Sequence, residues 1–234
     1  METTMYMARN TVQLAGRIVR ITRHKRSVRF VLSCGHAGKI KFKKDGQIER
    51  DVVTVRFFEK DAQYYLANFN TGDFVIVNAV AQTIKDRVNR TDRLEFWGLF
   101  MRKNEDRRKN KDTNQVQIRG KISSSVAYSD NYVIVNVLTY LEKSRPNSNK
   151  DSSVPKLTEK YKSITPIGIR VKGNAAELAR KTYTKGTWVD VEGFIYGQKV
   201  GNPPKRVERI IAKKVSVIGN IQIQKEKEED EKNS

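Results

Sequence analysis

The 234-residue chain has one cysteine, Cys34, so an intramolecular disulfide is impossible and a reducing compartment is expected. It has two histidines, His24 and His36. Even with the cysteine they fall short of the four ligands a structural zinc usually takes, so neither metal nor cofactor is expected. No uncharged run exceeds 11 residues, against the ~20 a membrane helix requires. Met1 to Asn10 lacks the apolar run of a secretory signal. A cytoplasmic protein is therefore expected. Catalytic groupings are missing too. Asp51 stands alone near the third predicted strand and Asp130 precedes a later one. There is no Ser-His-Asp set, no phosphate-cradling glycine loop, and no carboxylate pair recurring along the chain of the kind a metal nuclease needs. The chain reads as a non-enzyme.

Positive charge is abundant. Lys and Arg number 46 against 26 Asp and Glu, a net charge of +20. That implies a polyanionic partner: nucleic acid, or secondarily an anionic membrane surface. The charge is spread evenly. Residues 1–104 carry 20 basic and 10 acidic side chains, and residues 113–219 carry 19 and 8. Two halves of similar length hold similar charge, as two copies of one binding module would.

The residues repeat as well. Asn10-Thr-Val-Gln-Leu-Ala-Gly-Arg-Ile18 aligns with Asn114-Gln-Val-Gln-Ile-Arg-Gly-Lys-Ile122 at an offset of 104, with five of nine positions identical. Val55 to Val80 aligns without gaps on Ile169 to Phe194 at an offset of 114. There Ala62 meets Ala176, Gly72 meets Gly186, Phe74 meets Trp188, and Val75 and Val77 meet Val189 and Val191. The change of offset places an insertion in the Ser-, Asn-, Pro- and Lys-rich stretch from Leu141 to Ser163, a predicted loop. The expected organisation is a first domain over 1–103, a charged linker over 104–112, a second domain over 113–219 and a disordered charged tail over 220–234.

Within each copy the apolar residues alternate, as in strands with one buried face. In copy one Val12, Leu14 and Ile18 mark a first strand, in which Gly16 predicts a bulge or bend. Val28, Phe30 and Leu32 mark a second strand, and Val53, Val55 and Phe57 a third. A helix carries Ala62, Tyr65, Leu66 and Phe69. Val75, Val77 and Ala79 mark a fourth strand, and a fifth runs near Leu94 to Met101. Copy two repeats this at Val116 to Ile122, at Val133, Val135 and Val137, at Ile167, Ile169 and Val171, at Val189 and Val191, and at Ile210 to Val217. Asn174 with Glu177 three residues later predicts a capping-box start for its helix. Five short strands with one helix between the third and fourth is the order of an OB-fold barrel. The expected class is all-β, with two tandem five-stranded OB barrels.

At Asn10-Thr-Val-Gln-Leu-Ala-Gly-Arg, at Asn114-Gln-Val-Gln-Ile-Arg-Gly-Lys, at Lys172-Gly-Asn-Ala-Ala-Glu-Leu-Ala179 and at Lys185-Gly-Thr-Trp-Val-Asp-Val-Glu-Gly193, the chain resembles the bacterial single-stranded-DNA-binding protein family. Copy one departs from the family pattern with Thr71-Gly72 for Lys-Gly and Asn78-Ala79 for Glu-Gly. The resemblance implies sequence-tolerant binding of single-stranded DNA in replication, recombination or repair. A chain this divergent is compatible with phage or plasmid origin. The family assembles four barrels, so two per chain imply a homodimer. The family's acidic tail ends in an apolar docking tip. This chain has Glu228-Glu-Asp-Glu231 but ends Lys232-Asn-Ser234, which puts recruitment of replication or recombination proteins through the tail in question.

Such binding needs cations for phosphates and aromatic faces for bases, at ~1–3 kcal/mol per stacked base. With Val53, Val55 and Phe57 inward, Thr54, Arg56 and Phe58 point out; the matching outward set in copy two is Gly168, Arg170 and Lys172. The resemblance puts a stacked base on Phe58, with Lys172 taking phosphate instead. In the fourth strand of copy two, Trp188, Phe194 and Tyr196 face outward, toward bases or a subunit interface, with Trp188 over the helix as a further option. Tyr132 joins the candidate rings. Trp97 in Phe96-Trp-Gly-Leu-Phe100 is expected in the core or a dimer contact, and Tyr64 and Tyr65 in the core. Basic loops complete the set: Arg17 to Arg29, including Arg17 and Arg29, a hairpin with Phe42 beside Lys43, and a second hairpin with Tyr161. An RNA-binding or replisome-adaptor OB protein is the alternative, since DNA and RNA differ by 2′-hydroxyl contacts that no residue here announces. A metal-dependent nuclease on the same barrel is a remoter one.

Overall fold

The computed structural model describes residues 8–35, 50–86, 91–104, 111–129, 132–139, 165–200 and 205–219. The first half contains β1 (Arg9–His24), β2 (Ser27–Cys34), β3 (Asp51–Phe58), α1 (Glu59–Asn68), β4 (Phe74–Asp86) and β5 (Thr91–Lys103). The second contains β6 (Thr113–Ser129), β7 (Tyr132–Thr139), β8 (Thr165–Lys172), α2 (Asn174–Thr182), β9 (Trp188–Val200) and β10 (Lys205–Gly219). The chain is all-β in class, strands with two short helices. No helix among the described residues is long and apolar enough to cross a membrane.

Strand pairing runs in two circuits. β1 pairs with β2, β2 with β3, β3 with β5, β5 with β4, and β4 returns to β1. The second half repeats this as β6, β7, β8, β10, β9 and back to β6. In each circuit the pairing of third and fifth strands is parallel and the rest antiparallel. Each circuit encloses alternating inward side chains. Phe30 and Phe57 meet edge to face at 5.8 Å in the first, while Ile122, Ile169, Ile195 and Ile210 are sealed in the second. Burying each such side chain contributes ~1.5–3 kcal/mol. The core also dictates Gly98, where a Cβ would fall 2.2 Å from the Phe57 ring.

The two aligned sequence blocks make matching hydrogen bonds. Asn10 Nδ2 donates to the Ala81 carbonyl at 2.8 Å and its Oδ1 accepts from the Ala81 amide at 2.9 Å. Asn114 does the same to Ile195, at 2.8 and 2.9 Å. The Gly72 amide donates to the Ile18 carbonyl, and Gly186 to Ile122, both at 2.8 Å. Both glycines hold positive φ, 96° and 94°, at the turn into the fourth strand, a conformation that costs glycine little.

The halves are joined in one ten-stranded sheet through antiparallel pairing of β1 with β6. Each half also caps the free edge of the other's third strand. Arg206 donates to the Val52 carbonyl at 2.8 Å, and Thr83 Oγ1 donates to the Pro166 carbonyl at 2.7 Å. The Thr54 amide donates to Glu208 Oε1 at 2.7 Å. Burial there pushes the Glu208 carboxyl up to about 7.

Several sequence expectations need correction. Gly16 is not the bulge of β1; the register slips between Ile18 and Arg20. Gly16 is needed because a Cβ would sit 2.3 Å from the Ser33 carbonyl oxygen. The capping box at Asn174 and Glu177 does not form. Gly173 is the N-cap, at φ 61°, with no side-chain cap. Arg17 to Arg29 is not a loop, because β1 runs on to His24 and β2 resumes at Ser27. Tyr65 is buried and its hydroxyl accepts from the Met101 amide at 3.0 Å, but Tyr64 is 61% exposed. Leu99 and Phe100 stand exposed beside buried Phe96 and Trp97.

Candidate nucleic-acid interface

Alternation in β3 is complete: Val53, Val55 and Phe57 are buried, and Thr54, Arg56 and Phe58 lie half-buried on the other face. On that face the Arg56 guanidinium lies 5.0 Å from the Phe58 ring centre, and Phe58 meets Trp97 edge to face at 5.1 Å. Trp97 is there because β5 runs parallel to β3, with Trp97 beside Arg56. Two residues back on the same face is Glu95. Its carboxylate accepts from Arg56 and from Trp97 Nε1, each at 3.3 Å. It lies 3.5 Å from Arg29 and also pairs with Arg93. Arg56 makes a further bond to Ser27 Oγ at 3.0 Å. One largely buried acid thus gathers three arginines. Burial holds the Arg29 guanidinium below its usual value, and Glu95 works against that shift. Burial, reinforced by Arg29 and Arg56, also lowers His24.

The second half builds the same pair differently. Arg170, at the position matching Arg56, lies 4.7 Å from the ring centre of Tyr132. Tyr132 in β7 stands opposite Lys172 in β8; in the first half, Ser27 in β2 stands opposite Phe58 in β3. The ring therefore crosses to the neighbouring strand on the same rung of the ladder, and the guanidinium over it is retained. Lys172 is exposed, as a phosphate contact requires.

The outward rings of β9 are half-buried, as alternation places them. Lys121 lies 5.6 Å from the centre of Trp188 and Lys213 lies 5.5 Å from that of Phe194. Tyr196 stands opposite Arg209 of β10. The Arg209 Nε is buried with no hydrogen-bond partner among the described residues. Arg17 is exposed and donates to the Gly72 carbonyl at 3.1 Å. Phe42, Lys43 and Tyr161 lie outside the described residues.

Chemically, this is a set of ring faces with cations laid over them. A cation over a ring contributes ~0.5–1 kcal/mol at an exposed site. Among the described residues no three His, Cys, Asp or Glu side chains converge where a metal ion could bind. Sequence reasoning passed over Glu95, Arg93, Lys121, Arg209 and Lys213. Glu95 had a signal: an acid in outward phase with Trp97, between inward Leu94 and Phe96. Arg209 had one too, at the 114-residue offset from Glu95.

No family model matches the chain, and no curated protein matches it by sequence. Solved structures do. The single-stranded DNA binding protein from Thermus aquaticus is 12% identical, with a TM-score of 0.62 over 92% of this chain and 95% of its own. A deletion mutant of that protein gives 14% identity and 0.61, over 92% and 97%. At this identity the likeness is one of fold, and it extends across both halves.

Proposed function

We propose that the chain binds single-stranded DNA without regard to sequence and protects exposed strands during replication, recombination or repair. The observation that carries this is the guanidinium laid over an aromatic ring on matching rungs of the two halves, Arg56 on Phe58 and Arg170 on Tyr132. A cation beside a stackable ring is what a strand of alternating phosphate and base requires. The net charge of +20 supports electrostatic capture. The fold shared with a protein whose name states single-stranded DNA binding supports the substrate.

In this reading each five-strand circuit is an OB barrel, with the two in tandem and the rings of β3, β7 and β9 along the wet faces. The cycle is capture and stacking, with no bond made or broken. Two chains form a homodimer, for which exposed Leu99 and Phe100 offer apolar surface.

Titration with oligo-dT and with duplex DNA of equal length, at two salt concentrations, tests the reading. Tight binding of the single strand and weak, salt-abolished binding of duplex is the expected result. Equal affinity for both overturns it. Preference for oligo-rU over oligo-dT moves the substrate to RNA.

A further inference from the structure

The repeat that makes the halves alike also sets opposite charges at matching positions. In β5, Glu95 stands opposite Gln82 and one residue before Phe96, the rung partner of Val55. In β10, Arg209 stands opposite Tyr196 and one residue before Ile210, the rung partner of Ile169. Gln82 and Tyr196, Phe96 and Ile210, and Val55 and Ile169 are all 114 residues apart, and so are Glu95 and Arg209. One position in the two circuits thus carries an acid in the first half and a base in the second.

The surroundings follow that difference. Around Glu95 the three guanidinium groups of Arg29, Arg56 and Arg93 converge on one carboxylate. A carboxylate held by arginines has the charge and the oxygen geometry of a phosphate diester in the same place. In the second half Ile210, next to Arg209, shares a rung with Ile169, next to Arg170, and among the described residues no carboxylate ion-pairs with Arg170 or Arg209. Among the described residues the Arg209 Nε is a buried donor with no hydrogen-bond partner, which is costly for a polar group.

We propose that Glu95 occupies in the first half the place a nucleic-acid phosphate takes in the second. The faces then divide the work. The second half takes phosphate on Arg170, Arg209 and Lys172 and supplies most of the salt-sensitive binding. The first half, with one carboxylate already set among Arg29, Arg56 and Arg93, offers Phe58 to bases. This rests on the reading of the chain as a single-strand binder.

The slope of log affinity against log salt for oligo-dT tests it, because each phosphate held adds ~0.7 to that slope for single strands. Arg209→Gln and Arg170→Gln are each expected to lower the slope by ~0.7. Glu95→Gln is expected to raise it, by up to ~2 if all three arginines take phosphates. Arg209→Glu, which builds the first half's acid into the second, is expected to lower the slope further than Arg209→Gln. If Glu95→Gln fails to fold, the Arg209 pair decides alone. A parent that does not bind oligo-dT overturns the functional reading itself. A parent that binds, with Arg209 variants of unchanged slope, or a folded Glu95→Gln variant whose slope does not rise, overturns the division between the faces.

Discussion

Val12 pairs across the β1–β6 ladder with Val116, the residue at its own position in the second copy of the Asn-x-Val-Gln motif. Each residue meeting its repeat mate at one rung is the mark of a local two-fold axis. On either side, Asn10 lies opposite Ile118 and Asn114 opposite Leu14. The strand that opens each half therefore pairs along both of its edges. β1 pairs with β6 from Arg9 to Ala15 and with its own fourth strand from Val12 to Arg17, and β6 pairs with its own fourth strand from Val116 to Lys121, so the first strand of each half is paired on both sides over a shared stretch. Where it leaves its own fourth strand, the asparagine side chain takes over the hydrogen bonds of the next rung.

That substitution of side chain for backbone predicts a graded pair of variants. Asn114 is buried, while Asn10 is half-buried. Asn114→Ala strands both the amide and the carbonyl of Ile195 away from water, at ~1–3 kcal/mol for each group left unsatisfied. Asn10→Ala opens a half-exposed position through which water can reach the groups of buried Ala81, and costs less. Urea unfolding of both variants checks the order, and equal midpoints would contradict it.

The join between strand and helix predicts a gain. Glu59, opening α1, sits at φ 50°, in the left-handed region disfavoured for residues bearing a Cβ. Its repeat mate 114 residues on is Gly173, at φ 61°. Glu59→Gly removes a strain of ~1–2 kcal/mol, and glycine's extra freedom in the unfolded chain offsets ~0.5–1 kcal/mol of it. A small net rise in thermal midpoint is the expected outcome of a melting comparison.

Much of this architecture was legible in the residues because period-two alternation is written wherever a strand buries one face. Val53, Val55 and Phe57 against Thr54, Arg56 and Phe58 needed no coordinates. The β1–β6 joint was not legible in that way. Pairing between edges leaves no periodic trace, and its only sign was that Asn10 and Asn114 recur where neither packs in its own core. The run from Arg17 to Arg29 misled because its charges resemble a loop; it is a long strand that twists out of the core after the slip at Ile18. The outward phase of Phe58, Trp188, Phe194 and Tyr196 followed from alternation, but the pairing of Glu95 with three arginines did not, because ion pairing depends on which strands become neighbours.

Between the halves, Glu208 predicts a pH dependence of stability. Its carboxyl titrates at about 7 in the folded chain against 4.5 when unperturbed, with burial as the main cause. The folded state thus binds more protons than the unfolded one between those two values. Stability from this group is fully present below 4.5 and is lost as pH rises through 7, by up to about 3 kcal/mol. Glu208→Gln keeps an oxygen to accept from the Thr54 amide and cannot ionise. Denaturant midpoints from pH 5 to 8 should fall for the parent more steeply than for the variant, and parallel curves would count against the buried acid.

The rings carry the last prediction. Phe58 and Tyr132 come from different strands yet each lies under the arginine of its own third strand. If both stack on bases, truncation removes contact area without removing charge. Phe58→Ala and Tyr132→Ala should each weaken oligo-dT binding by ~1–3 kcal/mol while the salt slope stays that of the parent. Phe58 also braces Trp97 at 5.1 Å, so its loss should lower thermal stability more than the loss of Tyr132 does. Leucine at either position separates the two roles, since it fills space without offering a flat face. Phe58→Leu should recover stability but not affinity, and recovery of affinity as well would show that the ring serves packing and not bases.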